Sequence, residues 1–153
     1  MGTGLDWPAV AAGVAWGVGY LALLSIPVFS GLRWIAVPLA LASGLLAGAA
    51  AGRLARSDGA EARHGLAAGL LTGGCFATGF WVALSTPGLS VGVFYEFNYL
   101  LATNAGRMGV IATHGPLVVS LLAVLGGAAV ALLGYLAGRE APKRGAEPVF
   151  LDP

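Results

Sequence analysis

Four long apolar stretches, almost free of ionisable side chains, constrain this chain more than any other feature. A helix needs about 20 consecutive apolar residues to cross the hydrocarbon core of a bilayer. Since 58% of the residues are hydrophobic and only 10% are charged, a soluble fold would lack polar side chains to cover its surface. We therefore predict an all-α integral membrane four-helix bundle, with spans at about 7–29, 34–54, 65–84 and 116–138.

The predicted domain organisation follows from these spans. Residues 1–138 form the transmembrane domain, 86–115 form an outer interfacial segment between helices three and four, and 139–153 form a flexible cytoplasmic tail that is charged and proline-rich. The basic residues favour one orientation, because cytoplasmic loops carry an excess of Lys and Arg. Arg53, Arg56, Arg63, Arg139, Lys143 and Arg144 lie on the side of the two termini, and Arg33 and Arg107 lie on the other side. We therefore expect both termini in the cytoplasm.

Glycines recur at a spacing of four residues in spans two and three. These helix-packing candidates are Gly44, Gly48 and Gly52 in the second span and Gly65, Gly69 and Gly73 in the third. Residues four apart share one helix face, and inside lipid the close approach of backbones has to supply helix association. Because the connecting link is short, with the turn signal Asp58-Gly59, we predict that the two stripes pack on each other within the chain. Stripes that line a narrow pore or pack against a second protomer are the alternative.

The outer segment 86–115 holds the most varied chemistry. Phe94, Phe97 and Leu101 recur at helical spacing, which predicts a short interfacial helix, with a strand hairpin or a re-entrant turn as alternatives. The candidates for a binding site on the outer face are Glu96, Asn98, Arg107 and His114, helped by the amide of Asn104. A carboxylate, a guanidinium and an imidazole could bind an anion or a small metabolite. The simpler interpretation is that Glu96 and Arg107 pair or are solvated, and that His114 belongs to the start of the helix at Pro116.

Several chemistries are missing from the sequence. No ionisable residue lies in the membrane cores, which argues against proton-coupled transport. Cys75 is the single cysteine, so there is no Cys-x-x-Cys redox pair, and we expect it to be a buried packing residue. No spacing matches a catalytic or metal motif, so we expect no enzyme, no cofactor and no metal. A net charge of +1 without a basic cluster between aromatic residues gives no reason to expect a nucleic-acid partner.

Isolated polar residues near and within the spans have structural interpretations. The hydroxyl groups are expected to bond back to carbonyls of their own helices; they belong to Ser25, Ser43, Thr72, Thr78 and Ser120. His64 lies at the inner end of the third span, where a lone histidine is more often structural than a ligand.

Three motifs carry a family resemblance: DWPAVAAGVAWGV, SGLLAGAAAG and ARHGLAAGLLTGG, which together cover about residues 6–79. This order resembles small four-helix membrane proteins of halophilic archaea grouped under a domain of unknown function. Those proteins show an Asp/Asn-Trp start, a glycine-zipper span and a His-Gly-Leu-x-Ala-Gly motif that begins the next span, here at residues 64–69. The resemblance implies an archaeal plasma-membrane protein without an assigned activity.

These observations predict a structural or interaction subunit held together by glycine-stripe packing. Its partners would be the lipid bilayer and either a second copy or another membrane protein, which the outer aromatic segment would contact. The alternative is a small oligomeric channel or transporter with a conduit between protomers. An enzyme subunit is the least favoured interpretation, because the residues for chemistry are lacking.

Overall fold

The structure, a computed structural model, describes residues 4–55, 59–86, 88–105 and 107–141. Within these ranges the chain forms five α-helices and no strand, which confirms the all-α prediction. They are α1 (Trp7–Leu24), α2 (Ala36–Leu54), α3 (Glu61–Ser85), α4 (Val93–Ala105) and α5 (Gly109–Arg139), with short 3-10 turns at Pro27–Phe29 and Arg33–Ile35. The helical stretches Trp7–Leu24, Arg33–Leu54, Glu61–Ser85 and Gly109–Arg139 are long and apolar enough to cross a membrane. The architecture is that of a multi-pass membrane protein.

Prolines set several of the helix boundaries. Pro8 lies in the first turn of α1, where its missing N–H costs no hydrogen bond. The first predicted span extends to residue 29, but α1 ends at Leu24, because Pro27 cannot donate the hydrogen bond that would continue it. Pro116 lies inside α5, and the helix bends beside it at His114, where φ is −126° and ψ is 34°. The fourth predicted span, 116–138, is thus the part of α5 that follows the bend.

Contacts between helix ends define two opposite ends of the bundle. The backbone N–H of Asp6, before α1, donates to His64 in the first turn of α3. Gly52 and Gly65 both approach Gly138, near the end of α5. We call the end of the bundle at which these residues lie the terminal end. The opposite end carries α4, and we call it the α4 end. Arg56, Asp58 and the predicted tail from residue 142 onward, with Lys143 and Arg144, lie outside the described residues.

Small residues fill much of the interior of the bundle, and many large apolar residues lie on its surface. The alanines without exposed surface are Ala36, Ala40, Ala47, Ala51 and Ala68, whereas all four tryptophans, Trp7, Trp16, Trp34 and Trp81, are 48–66% exposed. Cys75 is also exposed, so its prediction as a buried packing residue is wrong. The helix face that carries Cys75 points away from the other spans, next to Gly74, where an added methyl group would meet no atom within 4 Å. This distribution suits a hydrocarbon solvent, in which large apolar side chains lie outward without cost.

Both glycine stripes lie against α5. A methyl group built on Gly48 would come within 2.0 Å of the Gly134 carbonyl oxygen, and one on Gly73 within 2.3 Å of the Gly127 carbonyl oxygen. The remaining stripe glycines, Gly44, Gly52, Gly65 and Gly69, also have their nearest neighbours on α5. We predicted that the two stripes pack on each other, but in the structure each stripe packs on α5. The reason is that α5 presents its own small residues, so three helix backbones meet along it.

Most of the hydroxyl groups bond within their own helices. Ser25, Ser43 and Ser120 donate to the carbonyl oxygens of Leu21, Ala40 and Pro116. Thr72 differs from the prediction, since its buried Oγ1 has no hydrogen-bond partner among the described residues. The backbone of Gly17 on α1 packs directly against this side chain, so the close contact between α1 and α3 occupies the space around the hydroxyl group.

Candidate functional site

Glu96 is one of the two largest fully buried side chains among the described residues. It lies on α4, only 2% exposed, and its carboxylate accepts hydrogen bonds from the backbone N–H groups of Gly31 and Arg33, the latter at 2.8 Å. Both loop residues have positive φ, 101° at Gly31 and 50° at Arg33. Backbone N–H groups in such a turn form a concave anion site. The carboxylate of Glu96 fills this site and fixes α4 to the α1–α2 loop.

The other three candidates for a site on this face lie apart from Glu96. The side-chain amide of Asn98 donates to Ser90 Oγ at 3.2 Å, and Ser90 in turn donates to the Ala83 carbonyl oxygen. His114 is exposed at the bend of α5. Arg107 is exposed as well, and no ion pair joins it to Glu96 in the part of the chain that the structure describes. The four predicted residues therefore do not form one site.

His64 is the other large buried side chain, and it lies at the terminal end. Its Nε2 is 2.7 Å from the backbone nitrogen of Asp6, and its Nδ1 is 2.7 Å from the Ala60 carbonyl oxygen. Because a carbonyl only accepts and a backbone N–H only donates, Nδ1 carries the proton and Nε2 is the acceptor. The imidazole thus connects the starts of α1 and α3, which is a structural role.

An apolar groove lies between α2, α3, α4 and α5, and we call it the α4 groove. Its volume is about 620 Å³, and among the described residues that line it Asn104 carries the only side-chain amide. Several of its residues are substantially exposed, including Met108 at 55% and Leu125 at 55%, so the groove opens on the surface of the bundle. It is lined by Trp34, Val37, Leu41, Phe76, Phe80, Phe97, Leu100, Leu101, Asn104, Met108, Val110, Ile111, Val118, Leu122, Leu125, Gly126 and Ala129.

The groove exists because α5 packs closely on its neighbours only in its second half. From Gly127 onward its backbone touches α2 and α3, whereas methyl groups on Gly109 and Gly115 would meet no atom within 4 Å. At the α4 end, aromatic rings and not glycines lie between the helices. The Phe80 and Phe97 rings pack edge to face, with their centroids 5.2 Å apart. Large rings and the bend of α5 together leave an open space that the glycine-lined half does not have.

A second, more polar cleft of about 300 Å³ adjoins the groove, and we call it the arginine cleft. It is lined by Arg33, Trp34, Tyr99, Leu100, Thr103, Asn104 and Arg107. Trp34, Leu100 and Asn104 line both spaces, so the cleft and the groove lie side by side. Two guanidinium groups and no carboxylate line the cleft within the described residues, which makes it positive.

In the sequence Arg33 indicates only the orientation of the chain, and the groove is not among the predicted features. The available signals were the neighbouring pair Arg33 and Trp34 at the start of a span, and Arg107 in the segment between spans three and four. No group of three or more His, Cys, Asp or Glu side chains that could hold a metal ion occurs among the described residues.

No protein-family model, curated protein or solved structure matches this chain. The resemblance to four-helix membrane proteins of halophilic archaea stays a prediction.

Proposed function

We propose that this chain is a non-catalytic membrane subunit that binds the hydrocarbon chain of a lipid in the α4 groove. The observation that supports this proposal is a space of about 620 Å³ whose lining is almost wholly apolar and which opens on the surface of the bundle. Its volume falls within the range of about 300–1,000 Å³ that is usual for small-molecule sites.

A lipid chain is the occupant that the surroundings favour. The groove lies among helices that are long and apolar enough to span a membrane, and exposed apolar side chains such as Leu125 form its open side. Water has too few polar partners there to be stable. Hydrocarbon is the solvent available at that depth, and a chain that enters the groove gains dispersion contacts with the phenylalanine rings.

The packing of the glycines favours a subunit over a channel or transporter. Both glycine stripes already contact the α5 backbone, so those faces are not available to line a conduit between protomers. Within the described residues, the buried polar side chains are Ser43, His64, Thr72 and Glu96. His64 and Glu96 lie at opposite ends of the bundle and each binds backbone, so these groups do not form a polar path across it.

The proposed location is the plasma membrane, with both termini in the cytoplasm and the α4 groove in the outer leaflet. The unequal distribution of basic residues supports this orientation, with Arg53, Arg63 and Arg139 at the terminal end. In a Cys75→Ala background, a membrane-impermeant maleimide should label a cysteine at Leu89 in intact cells and leave one at Glu140, which is exposed at the terminal end, unlabelled. The reverse labelling would overturn the orientation.

Occupancy of the groove can be tested by native mass spectrometry of the protein in detergent with added phosphatidylcholine. The wild-type chain should retain one phospholipid molecule. Leu122→Trp should reduce retention about tenfold, because the indole fills the groove that Leu122 lines. Leu132→Trp is the matched control, since Leu132 is 58% exposed on the same helix and lies outside the groove.

Three results would contradict the proposal. The first is no retained lipid in the wild-type chain, and the second is equal retention in both tryptophan variants. The third is a dimer that Leu122→Trp dissociates, which would make the groove an interface between copies. Ion flux through liposomes that contain the purified chain would favour the channel instead.

A further inference from the structure

We propose that the arginine cleft selects an anionic lipid, with Arg33 and Arg107 binding the headgroup phosphate while one acyl chain of the same molecule lies in the α4 groove. This inference rests on the proposed function and adds the class of lipid. It requires that the polar and the apolar space belong to one site.

The shared lining of the two spaces meets that requirement. The arginine cleft and the α4 groove have Trp34, Leu100 and Asn104 in common, so they adjoin each other and one molecule with a polar and an apolar part can reach both. A positive cleft of about 300 Å³ next to an apolar groove of about 620 Å³ has the same division into head and tail as an amphipathic lipid. Neither a free anion nor a purely apolar molecule would fill both parts.

The charge of the cleft favours an anionic headgroup. Arg33 and Arg107 are both exposed there, and neither has an ion-pair partner within the described ranges. The nearest acidic residue along α4, Glu96, has its carboxylate bound to loop N–H groups and does not line the cleft. A guanidinium binds phosphate oxygens with two parallel hydrogen bonds, which suits a phosphate at the membrane surface.

Glu96 acts as a positioning residue for this cleft. It accepts the backbone N–H of Arg33, whose φ of 50° is uncommon for a residue other than glycine. This bond holds the loop in the conformation that directs the Arg33 side chain to the cleft. Trp34 and Tyr99 border the same cleft, and rings with a polar atom are enriched where hydrocarbon meets headgroups.

The experiment compares two lipids that have the same acyl chains, anionic phosphatidylglycerol and zwitterionic phosphatidylcholine, by native mass spectrometry. The wild-type chain should prefer phosphatidylglycerol. Arg33→Gln and Arg107→Gln should each lower phosphatidylglycerol binding about fivefold, the equivalent of about 1 kcal/mol for one basic residue near an anionic lipid surface. Phosphatidylcholine binding should change little in these variants. Arg53→Gln is the matched control, because Arg53 is also exposed but lies at the terminal end, and it should leave the binding of both lipids unchanged.

The outcomes separate this inference from the proposed function. Equal binding of both lipids, unchanged in the arginine variants but lost in Leu122→Trp, would overturn the headgroup inference and keep the groove. Failure to retain either lipid would overturn both. Phosphatidylglycerol binding that inorganic phosphate abolishes but Leu122→Trp leaves unchanged would show an anion site without a lipid chain, which also contradicts the inference. Because Arg33 lies in a constrained turn, Arg107→Gln tests the inference even if the Arg33 variant does not fold.

Discussion

The two ends of this bundle are held together in different ways. At the terminal end, glycines bring helix backbones into direct contact, as at Gly48 and Gly134, where there is no room for a methyl group. At the α4 end, the rings of Phe76, Phe80 and Phe97 fill the space between helices, with centroids 5.2–6.2 Å apart. Backbone contact brings the helices close together, whereas the rings keep them apart and line the α4 groove. The difference separates a half in which helix backbones touch from a half with an open apolar groove.

Each end also contains one large buried polar side chain bound to backbone N–H groups. His64 accepts the N–H of Asp6 at the terminal end, and Glu96 accepts those of Gly31 and Arg33 at the α4 end. Helix starts and loops leave such donors without helical partners. Where small residues dominate the packing, a single polar side chain can fix the position of a chain segment that has few other contacts.

The largest effect is expected from Gly48→Ala at the terminal end. The new methyl group would lie 2.0 Å from the Gly134 carbonyl oxygen, and backbone atoms cannot rotate away as a side chain can. We expect the free energy of unfolding in detergent to fall by about 3 kcal/mol, the upper part of the usual range for overpacking. The midpoint of denaturation by sodium dodecyl sulfate, followed by circular dichroism, measures this change.

The control for this prediction is Gly74→Ala. Gly74 is also a helical glycine, but an added methyl group would meet no atom within 4 Å. Its stability should stay the same or rise by up to about 1 kcal/mol, because alanine has a lower conformational entropy cost than glycine. Similar losses in both variants would mean that the loss in Gly48→Ala does not arise from its contact with α5.

Hydropathy predicted the helices, but not which faces would meet. The α5 stripe was visible in the sequence only as Gly134 and Gly138, because Gly127 and Ala131 extend it at a less regular spacing. The role of Glu96 could not be predicted, since its partners are backbone N–H groups and carry no side-chain signal. The groove depends on the direction in which α5 bends at His114, and a proline in the sequence indicates a bend without its direction.

A smaller effect is expected from Glu96→Gln at the α4 end. The amide oxygen of glutamine can accept one N–H, while its NH₂ group would face the other loop donor. Leaving a buried donor unpaired costs about 1–3 kcal/mol, and we expect a loss of about 2 kcal/mol. Hydrogen exchange should also become faster at the amides of Gly31 and Arg33. Glu140→Gln, whose side chain is 81% exposed, is the control and should change neither measurement.

The smallest effect is expected from His64→Leu, which removes the acceptor for the Asp6 N–H and the side-chain donor to the Ala60 carbonyl oxygen. That carbonyl oxygen still accepts the backbone N–H of residue 64, and leucine is similar in size to histidine, so no large cavity opens. The bond from the Asp6 N–H is only partly buried, so water can reach the released donor at the start of α1. We expect a loss of about 1 kcal/mol, the net contribution of an ordinary hydrogen bond. His64→Gln should recover part of this loss, because its amide oxygen can accept the same N–H, whereas His114→Leu at the exposed bend should have no effect.

A loss in His64→Leu as large as that in Gly48→Ala would mean that the terminal end depends on this one polar contact as much as on its glycines. The distinction between a backbone-packed end and a ring-packed end would then no longer account for the stability of the bundle.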